Sequence, residues 1–390
     1  MNILFISFDY PPLLGGIANL SYQVAKNISA EEATFIIVAP AVKGYKEFDK
    51  KSKLTTLRII NVKIIRELVL FFKMLYLVFK FKIDVIYNLT WYPSAAVSYF
   101  INILTHVPYV IHVYAMDYFE GRRGIFNKLK YNWLRTFVKK LTFDRAGKII
   151  TLSNFMKDRL IVRGEDALKI EVIPPGVESA LFVPQIDAKA VISKHNLENK
   201  KVLLTVSRLD DYKGHDIVIK VLPRLITKFP DIVYLIVGEG PNEGFLRKLV
   251  DSLNLNGHVI FVGWVLGERL LSLYYNACDV FIMLSREIYS EAKVEGYGIV
   301  FLEASACGKA IIAGRSGGIE DAVVDKITGL LVNPLDLDEI ESVITKILSD
   351  RHYAELLGGN GVDRIRKDKL DWSDTGKKIR DVLVAVQERK

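Results

Sequence analysis

Short apolar runs alternate with longer stretches of helical periodicity along the first half of the chain. Continuous apolar runs are typical of strands buried on both faces, and apolar positions that recur about every 3.6 residues are typical of helices. The runs predict strands at Ile3–Phe8, Thr34–Ala39, Val85–Leu89, Tyr109–Tyr114 and Lys148–Leu152. The stretches between them predict helices at Ile17–Ile28, Ile64–Phe81, Pro93–Leu104 and Phe126–Leu141.

The second half repeats this alternation. It predicts strands at Lys201–Val206, Val233–Val237, Val259–Val262, Val280–Met283, Ala310–Ala313 and Gly329–Val332. It predicts helices at Asp216–Lys228, Glu243–Leu253, Leu266–Ala277, Phe301–Cys307 and Leu337–Leu348. We therefore expect an α/β protein with two doubly wound parallel sheets in two domains, 1–176 and 177–371, divided at the Pro- and Gly-rich segment Ile173–Pro184. Ligands of such sheets bind outside the carboxyl ends of the strands, where we look for candidate chemistry.

Length and composition narrow the class of protein. The 390 residues suit two domains of ~100–200 residues each. The two cysteines, Cys278 and Cys307, are too few for a disulfide scaffold or a four-cysteine zinc site and suit a reducing cytosol. The first ten residues favour a strand over a signal peptide. In the apolar stretch Ala95–Ala115, Pro108 favours a helix followed by a strand over a membrane span.

The net charge of +8 is unevenly divided along the chain. Residues 1–176 contain 25 basic and 14 acidic side chains, a net of +11, whereas the remainder contains 28 basic and 31 acidic ones. This excess favours an acidic partner for the first half, either nucleic acid or an anionic membrane surface. Because no nucleic-acid-binding motif is evident, we expect the membrane and no nucleic acid.

Two basic stretches contribute to this excess. We interpret the strongly apolar Ile64–Lys82 as a helix packed in the core with a solvated basic face. Gly121–Lys140 interleaves basic residues with Phe126, Trp133 and Phe137, which favours an interfacial membrane helix, and a core-packed helix is the alternative. The basic residues of the second stretch are Arg122, Arg123, Lys128, Lys130, Arg135, Lys139 and Lys140.

Two loops that follow predicted strands carry groups suited to phosphate. Gly15 and Gly16 precede the first helix, where backbone amides can approach an anion, although a tight turn explains them as well and the GxGxxG spacing is absent. Arg208 and Lys213 follow the first strand of the second half. A guanidinium fork and an ammonium suit a diphosphate, and a solvated surface pair is the alternative.

Three further loops carry groups suited to a nucleoside or a sugar. Gly238, in VGEGP, lies where a flat ring such as a base can approach the backbone, and Trp264, in FVGWV, follows the next strand. Glu295 stands at a helix start and Glu303 lies roughly two turns further on, so the two carboxylates could accept hydrogen bonds from separate ligand hydroxyls. The alternative is one glutamate favoured by the helix dipole and one that is solvated.

Several motifs follow one another in a recognisable order. Along the chain they are the early Gly-Gly loop, TLSNF, VIPPGV, VSRLDDYKG, VGEGP, the spacing E-x7-E from Glu295 to Glu303, and SGG. In this order, across almost the whole chain, the sequence resembles glycosyltransferase family 4, whose GT-B fold has two Rossmann-like domains facing a cleft. The phrases EGYGIVFLEASACG and VSRLDDYKGHD are most similar to the bacterial phosphatidylinositol mannosyltransferase branch.

The resemblance implies a role for each matching position in a donor site for a nucleotide sugar. Arg208 and Lys213 would bind the diphosphate. Glu303 would bind the ribose, and Glu295 the hydroxyls of the transferred sugar. The other donor-binding positions would supply backbone amides or contacts near the base, and they are Gly15, Gly16, Gly238, Trp264, Gly296, Tyr297, Gly298 and Ile299.

One stretch departs from the family pattern. The family usually has His-Gly-x-Asp/Glu after a strand of the first domain, whereas this chain reads YAMD from Tyr114 to Asp117. Tyr114 would stand in place of the histidine near the reacting centre. Strand residues two apart face the same side, so His112 could reach the same region, although we favour a buried and satisfied histidine. The catalytic candidates are therefore Tyr114, His112, Asp117 and Glu295.

The resemblance also implies a class of reaction. We expect a hexosyltransferase that retains the anomeric configuration and needs no metal and no cofactor. The first candidate reaction is the transfer of mannose from GDP-mannose to a lipid-linked or glycolipid acceptor. It would be cytoplasmic and peripheral at the inner face of the cytoplasmic membrane. Asp336 and Asp338 form a DxD that we predict to be a helix cap. The final helix, 372–390, would return to the first domain. A GT-B epimerase and a non-catalytic nucleotide-sugar-binding protein are the alternatives.

Overall fold

The computed structural model describes residues 1–29, 32–60, 62, 65–114, 132–288 and 293–388. The chain divides into two compact units, one of Met1–Pro175 with Trp372–Lys390 and the other of Gly176–Asp371. The boundary between Pro175 and Gly176 lies within the Pro- and Gly-rich segment Ile173–Pro184.

The first unit is built on a parallel sheet whose seven strands in the described residues follow the order β3-β2-β1-β4-β5-β6-β7. The strands are β1 Asn2–Ile6, β2 Thr34–Pro40, β3 Thr56–Ile59, β4 Val85–Asn88, β5 Tyr109–Val113, β6 Lys148–Thr151 and β7 Ile170–Val172. The helices are α1 Gly16–Ser29, α2 Tyr45–Ser52, α3 Arg66–Phe81, α4 Ala96–Thr105, α5 Asn132–Arg145 and α6 Asn154–Val162. The winding direction reverses between β1 and β4, so right-handed crossovers place α1 and α3 on opposite faces of the sheet.

Helix α3 corrects one interpretation from the sequence. Its inner side packs in the core through Leu70, Met74 and Leu77, but its outer side, which includes Leu68 and Phe72, is exposed. The helix Arg66–Phe81 therefore buries only one side of its apolar surface, because it covers the sheet with one face. Among the helices that the structure describes, none combines the length and the apolar character needed to cross a bilayer.

The second unit is built on a parallel sheet whose described strands follow the order β10-β9-β8-β11-β12-β13. The strands are β8 Lys201–Val206, β9 Ile232–Val237, β10 Val259–Gly263, β11 Val280–Met283, β12 Ala310–Gly314 and β13 Leu330–Val332. The helices are α7 Lys189–Lys194, α8 His215–Ile226, α9 Glu243–Ser252, α10 Glu268–Ala277, α11 Ile299–Ala306, α12 Ile319–Ala322, α13 Leu337–Ser349 and α14 Arg351–Lys367. The winding reverses between β8 and β11, which places their carboxyl ends at the switch point.

The C-terminal helix, α15 Trp372–Gln387, packs in the first unit against α1. The two helices lie close together, since a Cβ built on Gly376 would lie 2.8 Å from the Asn27 Cβ. Arg380 Nε donates to Glu32 Oε1 at 2.5 Å, and the Glu32 side chain is fully buried. A segment far along the sequence thus completes the layer that covers one face of the first sheet.

Candidate active site

A buried histidine, His215, holds the loop after β8 in place through hydrogen bonds. The loop passes through a short 3-10 turn, Asp211–Lys213, into α8. His215 Nε2 lies 2.9 Å from Ser207 Oγ, and its Nδ1 lies 3.0 Å from Tyr234 Oη. Burial lowers the pKa of His215 to about 4, so the ring is neutral at physiological pH. It therefore acts as a fixed hydrogen-bonded link between the loop and β9.

Lys213 and Glu295, which are distant in sequence, form an ion pair. Lys213 Nζ donates to Glu295 Oε2, and both side chains are largely buried. Burial opposes the charge of Lys213, but the Glu295 carboxylate outweighs this effect and raises the pKa of the ammonium above its usual value. The Arg208 side chain is 59% exposed, and its Nε lies 3.6 Å from Asp210 Oδ2. The structure thus brings Lys213 to Glu295 and leaves Arg208 accessible on the same loop.

The backbone of Glu295 is fixed by the loop that follows β12. Gly318 N donates to the Glu295 carbonyl at 2.9 Å. Helix α11 begins at Ile299, directly after Gly298, and the first amides of a helix favour an anion or a sugar oxygen. The Tyr297 side chain is buried, and burial raises its pKa to about 12. The Tyr297 phenol therefore lies in the interior of the unit.

Glu303 lies on α11 and is buried. Tyr275 Oη donates to Glu303 Oε2 at 2.6 Å. Burial raises the pKa of Glu303 to about 7, although the hydrogen bond from Tyr275 favours the ionised carboxylate. The alternative of a solvated helical glutamate is therefore wrong. A buried carboxylate of this kind accepts a hydroxyl strongly, since few other groups solvate it.

The loops after β8, β9 and β10 lie against one another. Gly238 N donates to the Gly263 carbonyl at 2.9 Å, and Trp264 N donates to Glu239 Oε1 at 3.3 Å. Gly238 has a φ of 133°, and a Cβ built there would lie 2.0 Å from the Ser207 carbonyl oxygen. Packing between protein loops thus explains this glycine, whether or not a base approaches it.

In the first unit, the turn at Gly15 and Gly16 leads into α1. Gly16 begins the helix, so its amide lies at the helix N-terminus as the sequence predicts. Apart from the adjoining backbone, no described atom lies within 4 Å of a Cβ built on either glycine, so the space beside them is open. The preceding loop is held by Arg58, which donates to the Pro11 carbonyl at 2.7 Å and pairs with Asp49.

His112 and Tyr114 form a buried stack at the end of β5. Their ring centroids are 4.9 Å apart, and His112 Nδ1 lies 2.6 Å from Tyr87 Oη. Burial lowers the pKa of His112 to about 3, so its imidazole is neutral. Its Nε2 has no hydrogen-bond partner among the described residues, so the histidine is buried but only half satisfied. The remaining candidate here, Asp117, lies outside the described residues.

Three side chains were not singled out by the sequence analysis, although Ser316 begins its SGG motif. Tyr275 holds Glu303 in place, and no sequence pattern links positions so far apart. Ser285 follows β11 and Ser316 follows β12, and their buried hydroxyls have no partner among the described residues. Their position at the carboxyl ends of neighbouring strands was the available signal, but a single serine in a loop is common.

The described acidic residues of the second unit give no metal-binding pattern. Asp336 caps α13, where its Oδ1 accepts from Asp338 N at 3.1 Å and from Glu339 N at 3.0 Å. This confirms the predicted capping role of the DxD. Within the part of the chain that the structure describes, no three His, Cys, Asp or Glu side chains cluster closely enough to hold a metal ion.

Two family profiles match the chain, one on each unit. "Glycosyltransferase Family 4" matches residues 14–181, and "Glycosyl transferases group 1" matches residues 187–364. The GDP-mannose-dependent alpha-(1-6)-phosphatidylinositol monomannoside mannosyltransferase of Mycolicibacterium smegmatis is 29% identical, and the match covers 100% of each chain. The enzyme of the same name from Mycobacterium tuberculosis is 27% identical over 98% of each chain.

Solved structures resemble the chain along its whole length. Anabaena Alr3699/HepE in complex with UDP superposes with a TM-score of 0.81 and 21% identity, and the match covers 99% of this chain and 100% of that one. Sucrose-phosphate synthase from Thermosynechococcus elongatus gives a TM-score of 0.80 and 22% identity over 100% of both chains. At these identities the likeness concerns the fold.

Proposed function

The chain belongs to glycosyltransferase family 4 and is a glycosyltransferase with the GT-B fold, and on that premise we propose that it transfers a hexose from a nucleoside-diphosphate sugar to a lipid-linked or glycolipid acceptor. The names of the mycobacterial relatives support mannose from GDP-mannose as the first candidate. The observation that carries the proposal is the Lys213–Glu295 pair, with buried Glu303 on the helix that follows.

The two cations of the β8 loop would stabilise the leaving group. As the bond from the anomeric carbon to the diphosphate oxygen breaks, negative charge grows on the diphosphate. Arg208 can present its exposed guanidinium, and Lys213 its permanently charged ammonium. Fixed donors aimed at developing charge are an effective form of catalysis. These cations would let the transfer proceed without a metal ion, and the resemblance to the family implies retention of the anomeric configuration.

The two glutamates would divide the hydroxyls of the donor. Glu295 would accept from the transferred sugar, while its other interaction holds Lys213 near the diphosphate. Glu303 would accept from the ribose, and amides at the start of α11 would meet sugar or phosphate oxygens. The nucleobase differs among the similar proteins, since the mycobacterial enzymes are named for GDP-mannose and the Anabaena protein was crystallised with UDP.

His112 would serve the reaction as a hydrogen-bonding group rather than as a general base. With a pKa of about 3, its imidazole is a poor proton acceptor at neutral pH. Its unpartnered Nε2 could meet a sugar hydroxyl, with Nδ1 held by Tyr87. Tyr114 and Asp117 remain the alternative groups near the reacting centre.

The acceptor would lie in a membrane to which the enzyme binds peripherally, at the inner face of the cytoplasmic membrane. The names of the relatives include a phosphatidylinositol lipid, which supports such an acceptor. The stretch Gly121–Lys140 would contribute basic charge, but residues 121–131 lie outside the described ones. In the described part, Arg135 lies 5.2 Å from the Trp91 ring, so some of this charge packs on aromatic side chains.

A transfer assay with isotope-labelled GDP-mannose and phosphatidylinositol mannosides in mixed micelles tests the function. We expect a labelled glycolipid only when the acceptor is present, and activity that survives EDTA. UDP-glucose and UDP-N-acetylglucosamine serve as competing donors. Conversion of the donor without acceptor would favour an epimerase, binding without turnover would favour a non-catalytic protein, and loss with EDTA that magnesium restores would contradict the metal-free proposal.

A further inference from the structure

Helix α3 carries large apolar side chains on the side that faces away from the sheet. Leu68, Phe72, Tyr76 and Phe79 are 61%, 64%, 52% and 69% exposed. Their spacing of four, four and three residues places them in one stripe along the helix. The stripe lies opposite the buried side chains of the same helix, so it is not an extension of the core.

The neighbouring helix α4 extends this apolar surface. Phe100, Ile103 and Leu104 are exposed, and α4 contacts α3. We call the seven exposed side chains of the two helices the α3–α4 face. Contiguous exposed apolar surface of this kind marks an interaction site with a protein or a membrane.

Charge distinguishes between these two partners. Lys73 Nζ and Lys80 Nζ lie 5.8 Å and 5.3 Å from the Tyr76 ring, so two ammonium groups flank the stripe. Glu67, the one acidic residue in the sequence of α3, pairs with Arg66 at 2.7 Å. Residues 1–176 carry a net charge of +11. A second copy would bring two cationic faces together, whereas an anionic lipid surface complements both the charge and the apolar stripe.

We propose that the α3–α4 face docks on an anionic phospholipid surface, with α3 lying in the plane of the headgroups. This rests on the proposed function, since it locates where an enzyme with a lipid acceptor meets the bilayer. The 16 residues of α3 span about 24 Å, which is shorter than the ~30 Å hydrocarbon core. An apolar stripe flanked by lysines and aromatic rings suits an interfacial helix.

Sedimentation of the full-length protein with vesicles tests this proposal. The vesicles contain phosphatidylglycerol and phosphatidylcholine, or phosphatidylcholine alone, and no acceptor lipid. We expect Phe72→Glu with Phe79→Glu to weaken binding to the anionic vesicles about tenfold or more. Val162→Glu with Leu168→Glu is the matched control, since these side chains of the same unit are 83% and 84% exposed, and it should bind as the unaltered protein does.

Two further variants keep the test decisive. Lys73→Gln with Lys80→Gln should weaken binding to anionic vesicles and leave binding to neutral ones unchanged. Arg122→Glu with Arg123→Glu examines the rival surface within Gly121–Lys140. The proposal would be overturned if the Arg122→Glu, Arg123→Glu variant lost binding to anionic vesicles while the Phe72→Glu, Phe79→Glu variant kept it. A dimer in analytical ultracentrifugation that the phenylalanine variant converts to a monomer without any change in vesicle binding would also overturn it.

The vesicle experiments test docking separately from the transfer assay, which tests the proposed function. Because the vesicles contain no acceptor, binding to them does not depend on the reaction. The phenylalanine variant should bind GDP normally, and, if the function holds, it should also act normally on acceptor dispersed in detergent. Vesicle binding without any transferase activity would support docking and contradict the proposed function. Activity in detergent without vesicle binding would support the proposed function and contradict docking.

Discussion

Lys213 is a buried cation balanced by Glu295, whereas Arg208 is an exposed cation on the same loop. Charge-assisted hydrogen bonds contribute ~1.5–3 kcal/mol each, and ~1.4 kcal/mol is a factor of ten in affinity. We therefore expect Arg208→Ala and Lys213→Ala each to weaken GDP or UDP binding about tenfold or more in calorimetry. Lys228→Ala, which removes an exposed lysine paired with Glu341, is the control. Unchanged affinity in both site variants would contradict the assignment.

The two glutamates should differ in which ligand they affect. Glu303→Gln should weaken both the nucleoside diphosphate and the nucleotide sugar, because the ribose is common to both. Glu295→Gln should reduce kcat and leave the affinity for the diphosphate nearly unchanged, since the transferred sugar is absent from that ligand and the amide oxygen can still accept from Lys213. Calorimetry with GDP and UDP beside the transfer assay checks both. If Glu295→Gln weakens the bare diphosphate as much as Glu303→Gln does, the proposed roles are wrong.

Glu303 should also make stability depend on pH. Burial raises its pKa from 4.5 to about 7 in the folded protein. The neutral acid is therefore favoured on folding, and its contribution is fully present below pH ~4.5 and is lost as pH rises through ~7. At ~1.4 kcal/mol per pKa unit, the loss approaches about 3 kcal/mol. Urea unfolding measured from pH ~4.5 to above 7 should show that the free energy of unfolding of the unaltered protein falls with pH more steeply than that of Glu303→Gln. If the two proteins gave parallel curves of this free energy against pH, the effect would be ruled out.

On the acceptor side, Tyr114 and His112 can be told apart. If the Tyr114 phenol takes the place of the family histidine, Tyr114→Phe should lower kcat at least tenfold with little change in donor affinity. His112→Ala leaves a space beside Tyr87 and should lower thermal stability as well, because a buried ring is lost. Near-normal turnover of Tyr114→Phe, with His112→Gln folded and inactive, would move the role to His112.

Helix α14 shows how close packing can hide a helix in the sequence. Three glycines, Gly358, Gly359 and Gly361, interrupt its apolar pattern, and no helix is predicted there. A Cβ on Gly358 would lie 2.0 Å from the Gly308 carbonyl oxygen, while one on Gly359 would meet nothing within 4 Å. The glycine that breaks the pattern is thus the one that lets the helix approach its neighbour.

This contrast gives a matched pair of substitutions. Gly358→Ala should lower the free energy of unfolding by ~1–3 kcal/mol, because the methyl group collides with backbone. Gly359→Ala, one position further on the same helix, should be neutral or stabilising by up to ~1 kcal/mol, since alanine favours helix over glycine. Urea denaturation of both variants measures the difference. Equal effects at the two positions would show that helix propensity, rather than the close approach, decides.

Burial explains which strands the sequence predicts. All the central strands occur as predicted to within a few residues, because they are buried on both faces and read as continuous apolar runs. The two strands that were missed in the first unit, β3 and β7, are the edges of its sheet. Thr56 and Arg58 of β3 are only partly buried, so the segment reads as polar. The outer face of α3 was misjudged for a related reason, since an apolar pattern does not reveal which side of a helix is covered.

At the level of the whole chain, motif order along the sequence predicted the GT-B glycosyltransferase correctly. Lys213 and Glu295 were both chosen as candidates from their places after strands, but their direct contact depends on the packing of β8 beside β11. Tyr275 could not be found, because a tyrosine in a helix carries no sign of the carboxylate that it will meet. Composition gave the basic first half, and only the fold located its apolar face.

The packing of α15 has a consequence for biosynthesis. The first unit is interrupted in sequence by the whole of the second, and the Arg380–Glu32 pair joins positions 348 residues apart. On the ribosome, the strands of the first unit emerge early, but the helix that covers α1 is made after the second unit is complete. The second unit, whose sequence is continuous, can thus finish folding first. Until α15 is made, the surface of α1 in the first unit stays uncovered. During that interval the nascent chain exposes apolar surface that a chaperone would recognise.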